Sequence, residues 1–219
     1  MRAIVGERAF RRLAAAYLDD CPPPFDLRDL GARLTGWLRA HPEHTGARHA
    51  LAIEMSRLEW AEIEASDAPQ WPSLSAAELG ALGEDPRLRL QPCLRLVDLA
   101  YPVDDLLLAI REGAQRELSH IASNAVAGRQ ASRSRKRHAM PKPQAVHLAV
   151  HRHAGLVYFK RLPREGSVAL GALMQGRPLS DAMAEALSAS TMDAAQLSQE
   201  AALWFADWSS LGWFCRAPG

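Results

Sequence analysis

Few side chains in this sequence combine a reactive type with a useful spacing. Glu59 is one, set in the run Arg57-Leu58-Glu59-Trp60-Ala61. On a helix it falls close to Met55 and Ile63, where a carboxylate can serve as an acid or a metal ligand. No second carboxylate or histidine shares its face at ligand spacing, so the residues favour a structural carboxylate paired with an arginine. His147, His151 and His153 form the other group, and strand alternation projects all three to one face. A metal takes imidazoles at such spacing. Each of them, however, opposes an apolar inward residue, and a solvent-facing row explains them without a ligand. No Ser-His-Asp, Cys-His, Gly-rich phosphate loop or His-Glu-x-x-His pattern occurs, so an autonomous enzyme is not expected. No catalytic residue, metal ligand or cofactor is assigned to the chain.

The rest of the sequence must position these groups. Residues 47–68 read as one long helix, with Leu51, Met55 and Leu58 on one side and Ile53, Trp60 and Ile63 on almost the opposite side. Two apolar stripes predict two packed neighbours and a central place in a helical layer. Ahead of it, residues 4–19 carry Phe10, Leu13, Ala14 and Tyr17 at helical spacing, ended by Cys21-Pro22-Pro23-Pro24. Residues 26–40 make a second short helix that closes before His41-Pro42. Past the central helix, Pro69 and Pro72 break the chain and Ser75 caps a brief turn through Leu82. Residues 86–103 read as extended or irregular, because Pro92 and Pro102 exclude a central strand or an unbroken helix. Helical spacing returns from Asp104 to about Ser123, the expected end of a first domain.

Residues 124–144 differ in kind. Arg129, Arg133, Arg135, Lys136 and Arg137 come with no acid and with two prolines, the composition of a flexible basic linker. Arg133, Arg135, Lys136 and Arg137 are the candidate nucleic-acid contacts, although no aromatic is interleaved to read bases. Beyond the linker the period becomes two. Val146, Leu148 and Val150 alternate with His147, Ala149 and His151, and after an Ala154-Gly155 turn a second strand runs to Leu162, giving a hairpin. Helices follow at about 164–174, 180–188 with Ser180 as N-cap, and 193–211, with Trp213-Phe214-Cys215 as a closing strand. This is the outline of a winged-helix-like module and equally of the peptide-recognition domains of peptide-modifying systems. The predicted fold is mainly α with a small α+β C-terminal domain: a helical bundle over 1–123, the linker over 124–144 and the winged-helix-like, peptide-recognition-like module over 145–219.

Bulk properties narrow the classes. With 219 residues, 48% hydrophobic and 23% charged, the composition is that of a soluble globular protein with room for two modest domains. A net charge of +1 exerts no global pull on nucleic acid. Charges interrupt the first twenty residues, which excludes a secretory signal or membrane span there. Cys21, Cys93 and Cys215 are odd in number and far apart, which suits a reducing compartment and predicts a cytoplasmic protein.

Val5-Gly6-Glu7 with Phe10, Leu13, Ala14 and Tyr17, the Arg57-Leu58-Glu59-Trp60-Ala61 run, the Tyr101-Pro102-Val103 step and the C-terminal module together resemble one family. That family is the DNA-binding-domain proteins of the HvfC/BufC type, and the resemblance covers nearly the whole chain. It implies an accessory protein that partners a multinuclear non-haem iron oxidative enzyme. The enzyme modifies cysteines of a ribosomally made precursor peptide, in systems linked to copper handling. The iron then belongs to the enzyme and this chain carries none. Arg57, Glu59, Trp60, Tyr101 and Pro102 are the residues carried over as the enzyme-binding surface. Family members usually have further helical sequence ahead of Val-Gly-Glu, whereas this chain starts almost on it, so one stripe of the central helix is expected to be uncovered.

Charge weighs against the DNA-binding label. From Glu165 to Cys215 the sequence has one cation, Arg177, against six acids, and the segment Asp181 to Ser190 offers no base-reading side chain. Lys160, Arg161, Arg164 and the linker are the remaining backbone contacts for that reading. A peptide suits the module better: it can join a sheet edge as an added strand beside an apolar helix. Val157, Tyr158, Phe159, Trp204 and Phe205 are the candidate peptide-binding residues, while Trp208 and Leu211 are expected in the core. The expected function is a non-catalytic accessory protein that binds the iron enzyme and presents the precursor. A DNA-binding transcriptional regulator and a plain structural interaction protein are the alternatives.

Overall fold

The computed structural model of the chain describes residues 1–22, 27–124 and 139–216. In chain order the elements are α1 (Arg2–Val5), α2 (Glu7–Asp20), α3 (Leu34–Ala40), α4 (His49–Asp67), α5 (Ala76–Gly80), β1 (Arg95–Leu99), α6 (Val103–Asn124), β2 (Val146–His153), β3 (Leu156–Leu162), α7 (Arg164–Met174), α8 (Leu179–Ser188) and α9 (Ala194–Ser210). Short 3-10 turns at Leu27–Gly31, Pro42–His44 and Gly46–Arg48 link the early helices. The protein is mainly helical with a small three-stranded sheet, ordered β1-β2-β3. No described helix is long and apolar enough to cross a membrane.

The chain divides into two compact units, residues 1–60 with 99–145 and residues 61–98 with 146–219. The linear division at 123 therefore differs from the spatial one, since residues 61–98 cluster with the C-terminal part and the division falls inside α4. Nothing in the sequence marks it, because the helical pattern runs unbroken through Trp60 and Ala61. The basic stretch 125–138, with Arg133, Arg135, Lys136 and Arg137, lies outside the described residues. After it, the Gln144 N–H donates to the Ala100 carbonyl at 2.9 Å.

In the first unit a single predicted helix over 4–19 is two helices, because Gly6 takes φ 87° between α1 and α2. Likewise the predicted helix over 26–40 is a 3-10 turn followed by α3. Met1, Leu13, Tyr17, Trp37, Leu38 and Ala52 form the core. Tyr17 meets Trp37 edge to face at 5.5 Å, and its hydroxyl donates to the Leu30 carbonyl. Burial is the main reason its pKa is raised. Of the two stripes on α4, the first is fully covered: Leu51, Met55 and Leu58 are buried, together with Ala52, Ala61 and Ala65. The second is covered only in part, with Ile53 and Trp60 half-buried and Ile63 38% exposed.

The second unit is built on the predicted hairpin. β2 and β3 pair antiparallel, from His147 opposite Leu162 to His153 opposite Leu156. Ala154 and Gly155 both take positive φ, 48° and 79°, as a two-residue turn requires. The core joins Ala149 and Leu162 of the sheet to Ala169, Leu170 and Leu173 of α7, Ala182 and Ala186 of α8, and Leu197, Trp204 and Trp208 of α9. Small alanines let α7 and α8 approach closely. Residues 86–94 are irregular, with a bridge at Leu90 and a turn at Pro92-Cys93 closed by the Leu94 N–H on the Gln91 carbonyl, and β1 follows them as a sheet edge strand. Trp213-Phe214-Cys215 closes the unit through isolated antiparallel bridges, Leu90 to Phe214 and Ser73 to Cys215. The buried Gln91 amide holds this closure, exchanging two hydrogen bonds with the Trp71 main chain and donating to the Gly212 carbonyl at 3.2 Å. Ser180 does not cap α8. The helix begins one residue earlier, and the Ser180 N–H donates instead to Asp85 Oδ1 at 2.8 Å.

Candidate functional site

The five residues carried over as an enzyme-binding surface all belong to the first unit. Arg57 is tied to a neighbour one turn back: its Nη1 lies 3.1 Å from Glu54 Oε1. Glu54, which the sequence reading passed over, is only 9% exposed, and its Oε2 accepts the Ala100 N–H at 2.8 Å. A buried acid beside the Met55 stripe, three residues before an arginine, was the signal for it. Glu59 is paired, with the Met1 ammonium at 2.7 Å where an arginine was expected. Trp60, Tyr101 and Pro102 are half-buried. Glu54 thus brings Arg57 and the chain entering Tyr101-Pro102 to one place.

The candidate peptide residues belong to the second unit. β3 lies at the edge of the sheet. With a two-residue turn the pair closing the loop, His153 and Leu156, is the hydrogen-bonded one, which directs the main-chain groups of Val157 to the outer edge. Leu156 is 62% and Tyr158 44% exposed, large apolar surface on a strand this short. Two residues on, Lys160 Nζ reaches Asp207 Oδ2 of α9 at 2.6 Å. One turn before Asp207 stands Leu203, 65% exposed. Trp204 is buried in the core, and Phe205 is half-buried with its ring stacked on Phe214 at 5.6 Å. The apolar side chain that α9 leaves in solvent is Leu203, a residue the sequence reading did not single out. Trp208 is buried and Leu211 packs against the core, as expected.

The histidine row breaks up. His147 is half-buried and its Nδ1 lies 2.6 Å from Asp98 Oδ1, while His153 is exposed. His151, expected in solvent, is 3% exposed. β2 is the middle strand and is covered on both faces, so Leu148, Ala149, Val150 and His151 are all buried and the alternation no longer marks inside and outside. The His151 ring stacks with Tyr158 at 5.9 Å and meets Trp213 at 5.1 Å. Among the described residues neither His151 Nδ1 nor Trp213 Nε1 has a hydrogen-bond partner. Burial first, then the charges of His153 and Lys160, lower the His151 pKa to about 4, against a weaker opposing pull from Asp207. The three cysteines are free, and burial pushes the Cys215 thiol up to about 11, far from a reactive thiolate.

No family model matches this chain, and no curated protein matches it. Any functional reading therefore rests on its own residues. One further group stands apart from those above: His41, Glu43 and His44 bring their donor atoms within 4.8 Å of one another.

Proposed function

We propose that this chain is a non-catalytic accessory protein whose first unit binds a multinuclear non-haem iron oxidative enzyme and whose second unit holds the cysteine-containing precursor peptide for modification. The observation that carries the reading is the β3 edge, which exposes Leu156 and Tyr158 and is tied by Lys160 to Asp207 of α9, one turn after the exposed Leu203. An extended leader added to this edge gains main-chain hydrogen bonds, and apolar side chains on either side supply its specificity. β2, β3, α7, α8 and α9 then act as the winged-helix-like, peptide-recognition-like module, and the helices of the first unit as a bundle that docks the enzyme through Arg57, Trp60 and Tyr101-Pro102.

The regulator reading is weaker. Arg177, the sole cation between Glu165 and Cys215, is spent on Asp181 and Glu185 of α8, which leaves that helix acidic towards phosphate. Binding of the labelled leader peptide, compared between the native chain and Val157→Pro, tests the proposal. The substitution removes an edge donor and should weaken the peptide at least about tenfold. Unchanged peptide binding, or salt-sensitive binding of a DNA fragment in its place, counts against the accessory role.

A further inference from the structure

After α3 the chain turns through Pro42–His44, a 3-10 turn in which residues three apart stand above one another. His41 and His44 are thereby brought to the same side, and both rings lie against the Trp37 indole, His41 at 4.5 Å and 25° and His44 at 5.0 Å and 31°. The indole is itself fixed: Trp37 is buried, and its Nε1–H donates to Asp20 Oδ2 at 2.9 Å. Two imidazoles held on one rigid plate lose little freedom when they share a ligand.

Glu43 completes the group. Its Oε1 lies 3.1 Å from His41 Nδ1 and 3.6 Å from His44 Nε2. Donor atoms on a tetrahedral zinc, at about 2.0–2.1 Å from the ion, stand about 3.3 Å apart. The two distances bracket that value, and the imidazole centroids, 6.1 Å apart, leave space for an ion between them. Behind His41, its other nitrogen Nε2 lies 3.8 Å from Asp20 Oδ2. That carboxylate lies beyond hydrogen-bond distance of His41 and accepts from Trp37 instead.

We infer that the turn is a binding site for a borderline divalent transition metal of the zinc, nickel and copper group, held by His41, Glu43 and His44. Two nitrogens and one oxygen suit these ions and not calcium or magnesium, which take oxygen ligands. Three protein donors leave at least one coordination position for water or for a ligand from another molecule. The site is independent of the accessory reading and stands or falls apart from it.

Zinc titration of the tag-free, chelator-stripped full chain at pH 7.5, followed by calorimetry, is the test. One ion per chain is expected, with affinity reduced at least about tenfold by His44→Ala and by Glu43→Gln. Thermal unfolding should shift upward with zinc in the native chain and not in those variants. The Glu43 side chain is 61% exposed, so Glu43→Gln spares the fold even where loss of a stacked imidazole loosens the turn. His147→Asn, remote in the sequence and in the other unit, should bind zinc as the native chain does. Absence of saturable zinc binding, or native affinity in Glu43→Gln, overturns the site.

Discussion

The carboxylate of Glu54 accepts the main-chain N–H of Ala100 at 2.8 Å, across 46 residues of sequence. Its second oxygen faces Arg57, and the Ala100 carbonyl is taken by the Gln144 N–H. One buried acid on α4 thus fixes the strand of chain that leads into Tyr101-Pro102 and α6.

Loss of that carboxylate should be costly. In Glu54→Ala the Ala100 N–H is left without its partner, while Arg57, 31% exposed along its side chain, can return to water. Urea denaturation should register a loss of about 2 kcal/mol, most of it from the orphaned N–H. Glu54→Gln keeps an acceptor and should lose less than half as much. A Glu54→Ala midpoint indistinguishable from the native one would show that the contact adds nothing.

His151 should make stability fall on the acid side. Its folded pKa, about 4, is below its ordinary value of 6.5, so the unfolded chain takes up the proton first. The contribution is intact above about pH 6.5 and is lost as pH falls towards 4, by on the order of 3 kcal/mol over that window. His151→Phe should flatten this part of the pH–stability curve and leave the neutral value little changed, since the neutral ring already lacks a partner for Nδ1. A variant curve with the same acid slope would assign the effect to other groups.

Gly212 is the tightest glycine in the second unit. It has φ 70°, and an added Cβ would stand 2.7 Å from Ser73 Oγ. Gly212→Ala should destabilise by about 1–2 kcal/mol, part from the left-handed backbone and part from the collision. Ser73→Ala in the same chain should return the part of the collision due to the hydroxyl, less the hydrogen bond that Ser73 donates to the Gly212 carbonyl at 3.0 Å. Full additivity of the two substitutions would mean that the collision is absent.

Local pattern was enough for the hairpin and for α7 and α9. The Ala154-Gly155 turn and the Gly212 stop each act within a few residues, where sequence reasoning is strong, while the Asp193 capping box with Gln196 is equally local and was not singled out. What stayed hidden depends on distant partners. Asp85 supplies the α8 terminus from 95 residues away, Gln91 binds Trp71 and Gly212, and residues 61–98 cluster with the C-terminal unit although no breaker interrupts α4. His151 was misplaced because a polar residue on an alternating strand reads as outward, and the burial of both faces of a middle strand is a tertiary property. For the candidate peptide edge, Tyr158 stood among the strand residues the sequence offered, while its exposure belongs to the edge position of β3. On α9, however, Trp204 turns into the core and Leu203 takes the solvent side. His41-Pro42-Glu43-His44 read only as a helix stop, because its convergence comes from the 3-10 turn and the Trp37 plate.

The accessory role is tested most directly by co-purifying this chain with the iron enzyme encoded nearest to it, with and without the precursor peptide, and measuring the metal content of each component. The account predicts a stable complex, strengthened by the precursor, with the redox-active iron held by the enzyme subunit. A chain that elutes alone under both conditions while shifting DNA in a salt-sensitive way contradicts it.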